Sequence, residues 1–192
     1  DASTVGSLDL DIVNQDNNLI KDLKEKKFDI IYLLGQDNLN FHKKDEFIIY
    51  QGSHGDKGAE IADIILPGAA YTEQSGHYTN LEGKVQKAYK ASYPPGDAKE
   101  DWQIINDLAE VMNSRKLFND KEELISSMFN YLNLKKEKSQ VKKIINSTSF
   151  ENENLKIKFK DYYFSNVIAR SSKTMLDCYN SKIATKRTGT EG

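Results

Sequence analysis

Phe47-Ile-Ile-Tyr-Gln-Gly-Ser-His-Gly-Asp-Lys-Gly-Ala-Glu-Ile-Ala-Asp-Ile-Ile-Leu-Pro-Gly68 decides the fold class. Two short runs of β-branched and aromatic residues, 47–50 and 62–66, flank a glycine-rich turn at 52–58. Pro67-Gly68 stops the second run. Neither run alternates apolar with polar, which predicts strands covered on both faces, as in a mostly parallel α/β sheet. Upstream, Phe28-Asp-Ile-Ile-Tyr-Leu-Leu34 is a third run of this kind, ended by Gly35. Leu19, Ile20 and Leu23 share a helical face before it, with Asp16 or Asn17 placed to cap the helix.

Downstream, residues 71–93 are rich in Gly, Asn and Tyr, which favours an ordered loop with short strands. Pro94-Pro95-Gly96 is a rigid break. Asp97 and Glu100 then have capping-box spacing, ahead of a helical stripe of Trp102, Ile105, Leu108, Ala109 and Met112. Asp120 and Glu123 repeat that spacing before Leu124, Ile125, Met128, Phe129 and Leu132. Residues 135–154 read as an exposed helix and linker whose apolar face is Val141, Ile144 and Ile145. Leu155, Ile157 and Phe159 alternate with lysines, as in an edge strand or extended arm. Ile168, Ser172, Met175 and Tyr179 fit one face of a final helix, and a frayed tail follows from Thr185. These signals divide the chain into an α/β domain at 1–115 and a helical extension with a C-terminal arm at 116–192.

Composition excludes several function classes. The 192 residues are 38% hydrophobic and 29% charged, which is globular on the polar side. With 27 basic and 29 acidic residues the net charge is −2, so no general attraction to nucleic acid or anionic lipid follows. Only Arg115, Arg170 and Arg187 are arginines, which weakens a phosphate-binding reading. The one cysteine, Cys178, suits a reducing compartment and cannot by itself ligate an iron–sulfur cluster or build a thiolate zinc site. The longest apolar run, 28–34, is far too short to cross a bilayer, so no direct membrane insertion is expected. The chain begins at Asp1 without a visible signal or transit peptide, as a processed or truncated start would.

The candidate sites are weak as chemistry. Gly52, Gly55 and Gly58 are three apart, which is neither the dinucleotide fingerprint nor a P-loop; the simpler reading is left-handed turns at a sheet edge. His54 with Asp56, and His77 with Glu73, have the composition of acid–base or ligand pairs, but nothing fixes a third ligand. Loop hydrogen bonding explains them more simply. Cys178 reads as a packing residue one turn past Met175. Ser165, Ser171 and Ser172 lack a nucleophile-elbow context. The lysine runs at 24–27 and 135–138 are interleaved with glutamate, as solvated faces are. No catalytic, cofactor-binding or metal-binding residue is expected in this chain.

Read as a phrase, 47–86 says more. Its continuation, Ala69-Ala-Tyr-Thr-Glu-Gln-Ser-Gly-His-Tyr-Thr-Asn-Leu-Glu-Gly-Lys-Val-Gln86, resembles one family, as do Pro94-Pro-Gly-Asp-Ala-Lys-Glu-Asp-Trp-Gln-Ile-Ile105 and Phe159-Lys-Asp-Tyr-Tyr-Phe-Ser-Asn-Val-Ile-Ala-Arg-Ser-Ser-Lys-Thr-Met-Leu-Asp-Cys178. Val5-Gly-Ser-Leu-Asp-Leu10 is similar to the family's lead-in. The family is the C-terminal domain of the large, G-type iron–sulfur subunit of respiratory complex I, NADH:ubiquinone oxidoreductase. That domain is similar in fold to molybdopterin oxidoreductases, whose phrases are echoed at 62–67 and 79–86. Lys84 stands where the family usually has arginine, which weakens any inherited phosphate contact.

The resemblance implies an α/β, molybdopterin-oxidoreductase-like domain with a helical C-terminal extension, acting as a structural part of the peripheral arm. Iron–sulfur clusters and FMN are expected in other parts of the complex, and no molybdenum or pterin here. The implied partners are other peripheral-arm subunits, above all the cluster-bearing N-terminal part of the same subunit. The implied location is the matrix side of the mitochondrial inner membrane, or the cytoplasmic face of a bacterial one. The Asn-, Lys-, Ile- and Tyr-rich usage suits an AT-rich, organellar genome. Candidate interface elements are the 52–58 turn, the 73–86 loop and the 155–164 segment, whose Phe159, Tyr162, Tyr163 and Phe164 serve either as an anchor or as packing on their own domain. Two alternatives stand beside this reading: a pterin-contacting fragment of a molybdopterin oxidoreductase, and a free-standing binding module.

Overall fold

A computed structural model of the protein describes residues 4–12, 18–36, 42–138 and 163–187. The elements run α1 (Thr4–Asp9), α2 (Leu19–Lys24), β1 (Ile30–Leu34), β2 (Phe47–Gly52), α3 (Lys57–Ile61), β3 (Ile64–Pro67), β4 (Gly76–Thr79), β5 (Val85–Ala88), α4 (Asp101–Asn113), α5 (Lys121–Lys138), α6 (Val167–Ser171) and α7 (Lys173–Arg187). The fold is α/β. β1, β2 and β3 form a parallel sheet in that order, while β4 and β5 pair as an antiparallel hairpin. Parallel neighbours need crossovers, and the connection between β2 and β3 carries α3.

Strand register sorts the side chains between two faces. Ile31, Leu33, Ile48 and Tyr50 point inward and form the buried core, with Leu23, Ala59, Ile61 and Ala62 packed against them. Asp63 locks the entry of β3 to β2: its Oδ2 accepts from the Ile48 N–H at 2.8 Å, and its own N–H donates to the Ile48 carbonyl at 2.8 Å. Lys43 lies 2.5 Å from the other carboxylate oxygen. That ammonium contact, with the Ile48 N–H bond, holds the Asp63 carboxyl below its ordinary range.

The outer face does not match the expectation of double coverage. Ile30, Leu34, Phe47 and Ile64 are exposed there among the described residues. The three strands otherwise stand where the apolar runs placed them, and Gly35 ends β1 with φ +61°.

Helix starts differ more. The N-cap of α2 is Asn18, without a side-chain cap bond; Asp16 and Asn17 lie outside the described residues. α4 begins three residues later than its expected box: Glu100 is the N-cap, and Gln103 completes a reciprocal box with it. Lys99 is otherwise engaged, exchanging backbone bonds with Pro67 and Ala69 and bridging Gly68, so the chain is extended up to Glu100. The buried residues of α4 are Ile104, Asn106 and Ala109, whereas Ile105 and Met112 of the expected stripe are exposed. Asp120 does cap α5, accepting from the Glu123 N–H at 2.8 Å, and Leu124, Ile125, Met128, Phe129 and Leu132 are all half-buried.

The single expected C-terminal helix is two. Ser172 (φ −86°, ψ 118°) breaks it, and its Oγ accepts from the Met175 N–H at 3.4 Å, a capping role that competes with helix continuation. α7 runs through Arg187, past the point where fraying was expected. The face of Val141, Ile144 and Ile145, the arm from Leu155 through Phe159 to Tyr162, and the tail beyond Arg187 lie outside the described residues.

Candidate functional site

Open parallel sheets bind ligands at the carboxyl ends of their strands, here Leu34, Gln51-Gly52 and Leu66-Pro67. The first turn of α4 occupies that end. Gln51 is fully buried; its Nε2 donates to Asp101 Oδ1 at 2.8 Å and to the Asp101 carbonyl at 3.3 Å. The Tyr32 hydroxyl donates to Gln51 Oε1. Burial raises the Tyr32 pKa, and the negative charge of Asp101 raises it further. Gln74 Nε2 donates to the second Asp101 oxygen at 3.3 Å and to the Ala69 carbonyl at 3.3 Å. A Cβ on Gly68 would lie 2.9 Å from Asp101 Oδ1, so glycine is needed for this approach. Among the described residues no buried side-chain polar atom lacks a partner. The crevice is thus closed by a carboxylate and two amides that are spent on one another. A phosphate-bearing cofactor fits this donor set poorly, since the charge at its centre is negative.

The glycine-rich turn has a different cause from the one its spacing suggests. None of Gly52, Gly55 and Gly58 has positive φ, so left-handed turns are not their role. A side chain on Gly52 or Gly58 would instead collide with the Tyr50 ring, which lies across the turn and donates from its hydroxyl to the His54 carbonyl at 2.9 Å. The two histidine pairs are not assembled. His54 Nδ1 meets Ser53 Oγ at 2.9 Å, while Asp56 caps α3 at Lys57 and pairs with Arg170 Nε at 2.7 Å. Burial pushes the Asp56 carboxyl up, but the Arg170 guanidinium and the Lys57 N–H outweigh it and hold the group below the usual carboxylate range. Glu73 accepts from the Ala70 N–H, and His77 stacks edge-on against Phe129 at 5.3 Å. No group of three His, Cys, Asp or Glu side chains is placed to hold a metal among the described residues. Cys178 is exposed on α7, not a packing residue of a described core.

A second polar cluster ties the halves of the chain together. Lys121 Nζ donates to the Ser75 carbonyl at 2.6 Å and pairs with Glu100, to which Trp102 Nε1 also donates at 3.0 Å. Above it α5 forms one wall of a groove of about 560 Å³ lined by Leu10, His77, Trp102, Leu124 and Met128. Asn106 holds the turn between α4 and α5, accepting from the Leu117 and Phe118 N–H groups and donating to the Phe118 carbonyl. In the hairpin, Asn80 Oδ1 accepts from the Glu82 and Lys84 N–H groups, and Lys84 itself is exposed. Tyr163 and Phe164 pack on Tyr179 of α7 at 6.1 and 5.0 Å, so these two aromatic residues serve their own chain.

The molybdopterin oxidoreductase family model matches residues 1–111, more than half of the chain. The chain belongs to the molybdopterin oxidoreductase family. A second model, for the C-terminal region of the G-type subunit of NADH-ubiquinone oxidoreductase, matches residues 126–178. Among individual proteins, the chain is 44% identical to the NADH-ubiquinone oxidoreductase 75 kDa subunit of Reclinomonas americana, over 92% of this chain and 27% of that subunit. It is 40% identical to the mitochondrial NADH-ubiquinone oxidoreductase 78 kDa subunit of Candida albicans, over 94% of this chain and 27% of the relative. The corresponding NADH-quinone oxidoreductase subunit of Rickettsia bellii is also 40% identical, again over 94% and 27%. The resemblance to the C-terminal part of the large complex I subunit is therefore shown across both halves. The chain spans 27% of the length of each of these relatives.

Proposed function

We propose that the chain is a structural, non-catalytic part of the peripheral, NADH-oxidising arm of respiratory complex I. The carrying observation is its 44% identity over 92% of its length to a large NADH-ubiquinone oxidoreductase subunit. In this reading its partners are the other peripheral-arm subunits, first the cluster-bearing part of its own subunit. It sits at the matrix side of the mitochondrial inner membrane, or the equivalent bacterial face. No described helix is long and apolar enough to cross a membrane, so attachment runs through those partners. The lone Cys178 cannot supply the thiolate set of a cluster, and the Asp101 carboxylate fills the strand ends where a cofactor would lie. Clusters and FMN thus belong elsewhere in the assembly, and the chain holds neither molybdenum nor pterin. The family match over residues 1–111 favours a second reading, a pterin-contacting fragment.

Purified complex carrying His54→Ala, Lys84→Ala or Cys178→Ser tests the non-catalytic reading. NADH:quinone turnover per assembled complex is expected to stay unchanged, with no stoichiometric molybdenum by elemental analysis. Turnover lost at unchanged assembly would contradict the proposal, and bound molybdenum would favour the pterin reading.

A further inference from the structure

We propose that the outer face of the parallel sheet, with the stripe of α4 beside it, docks an apolar helical layer supplied by the part of the subunit that this chain does not span. This rests on the complex I reading above and names the surface by which the chain would join its own subunit. Register places eight side chains on the outer face: Ile30 and Phe47 on one rung, then Tyr32, Ile49 and Ile64, then Leu34, Gln51 and Leu66. None of the eight is charged, in a chain that is 29% charged. A solvated sheet face alternates polar residues outward, whereas a parallel sheet is ordinarily covered by helices on both sides.

The inner face is covered over β1 and β2, with Ile65 at the β3 edge 55% exposed. On the outer face, cover is confined to Gln51 beneath Asp101 and to the half-buried Tyr32, Ile49 and Leu66. Ile30 is 65% exposed, Leu34 51%, Ile64 44% and Phe47 42%. Single exposed apolar residues are unremarkable, but neighbours on adjoining rungs make a patch. α4 extends the same argument. Its Asp101 touches Gln51 on the outer face. Positions 105, 108 and 112 continue from 101 along one helical stripe, and they are Ile, Leu and Met. Ile105 is 37% exposed and Met112 is 73% exposed. The periodicity expects these side chains to be buried; Leu108 is half-buried, but Ile105 and Met112 are left exposed by the described residues.

The occupant follows from length. The relatives are nearly four times as long, each matched over only 27% of its own sequence, so most of the subunit remains to supply the missing layer. A helix with an apolar stripe is the element that packs on such a face. A second copy of this chain, or its own residues 139–162, would be a different occupant.

The test uses chain that co-migrates with the assembled complex on a native gel; failure to co-migrate refutes the complex I reading before any label is added. In a Cys178→Ser background, Phe47→Cys and Ile64→Cys are labelled with a maleimide, alongside Glu60→Cys on α3. Expected in the complex is labelling at 47 and 64 at least about tenfold slower than at 60, and comparable labelling of all three in chain released by a mild chaotrope. Labelling at 47 and 64 as fast as at 60 in the complex overturns the proposal. So does protection that persists in the released chain, which would assign the cover to its own residues, or protection that fades on dilution of the released chain, which would assign it to a second copy. As an independent measurement, Phe47→Glu should cut the co-migrating fraction about tenfold while Phe47→Leu restores it. Equal assembly of the two variants overturns the proposal.

Discussion

Gln51 is the polar exception inside an otherwise apolar run, and the structure gives its reason. Its amide joins the Tyr32 hydroxyl to the Asp101 carboxylate at the carboxyl end of the sheet. A glutamine within a buried strand is visible in the sequence, and it was the available signal for this cluster. Its partners, 19 residues upstream and 50 downstream, were not visible, because only folding brings them together. Gln51→Leu keeps the volume but leaves a hydroxyl and a carboxylate under-satisfied; about 1–3 kcal/mol of stability should be lost, read from the denaturation midpoint. The Asp56–Arg170 pair carries a pH dependence. Because the folded-state pKa of Asp56 is depressed, its contribution is fully present above the unfolded carboxylate value of about 4 and is lost as pH falls through the lower folded value. Hydrogen-exchange protection of α3 and α6 should therefore fall in that acid window. Arg170→Met removes the guanidinium but leaves the Lys57 N–H bond and the burial, so it should weaken that acid-side loss and cost about 1 kcal/mol at neutral pH.

α4 and α6–α7 show where element reading succeeds and where it slips. Helix existence was legible from the apolar period, and half-burial of the Leu124, Met128 and Leu132 stripe follows the pattern. Boundaries were not, because tertiary bonds compete for the capping residues. Lys99 bridging Gly68 delays α4 to Asp101, so Glu100 rather than Asp97 becomes the cap. Glu100 also takes the Lys121 ammonium and the Trp102 N–H, in a partly buried setting with side-chain exposures of 24% for Lys121 and 15% for Glu100. Glu100→Ala should thus cost more than a surface cap. We expect about 3 kcal/mol, since Lys121 would be left half-buried with the Ser75 carbonyl but without its counter-charge. Glu100→Gln keeps the cap acceptor and should lose less. Equal losses in the two variants would mean that the side-chain cap contributes nothing and that the loss comes from the ion pair.

At the scale of the whole molecule, the α/β class and the parallel character of the sheet could be read from three non-alternating apolar runs, whereas the strand order came only with the structure. Double coverage of the sheet could not be fulfilled by the described residues, and the reason is physical: the sequence of a strand records the environment of the complete fold, while this chain matches 27% of its relatives' length. The mismatch between buried-type sequence and exposed surface at Phe47, Ile64 and Met112 is the observation on which the proposed docking surface rests. The account stands or falls on membership of the complex. Tagged in its native host, gently solubilised and run on a native gel, the chain should co-migrate with NADH-dehydrogenase activity and iron–sulfur subunits. A lone small species free of those subunits would contradict it.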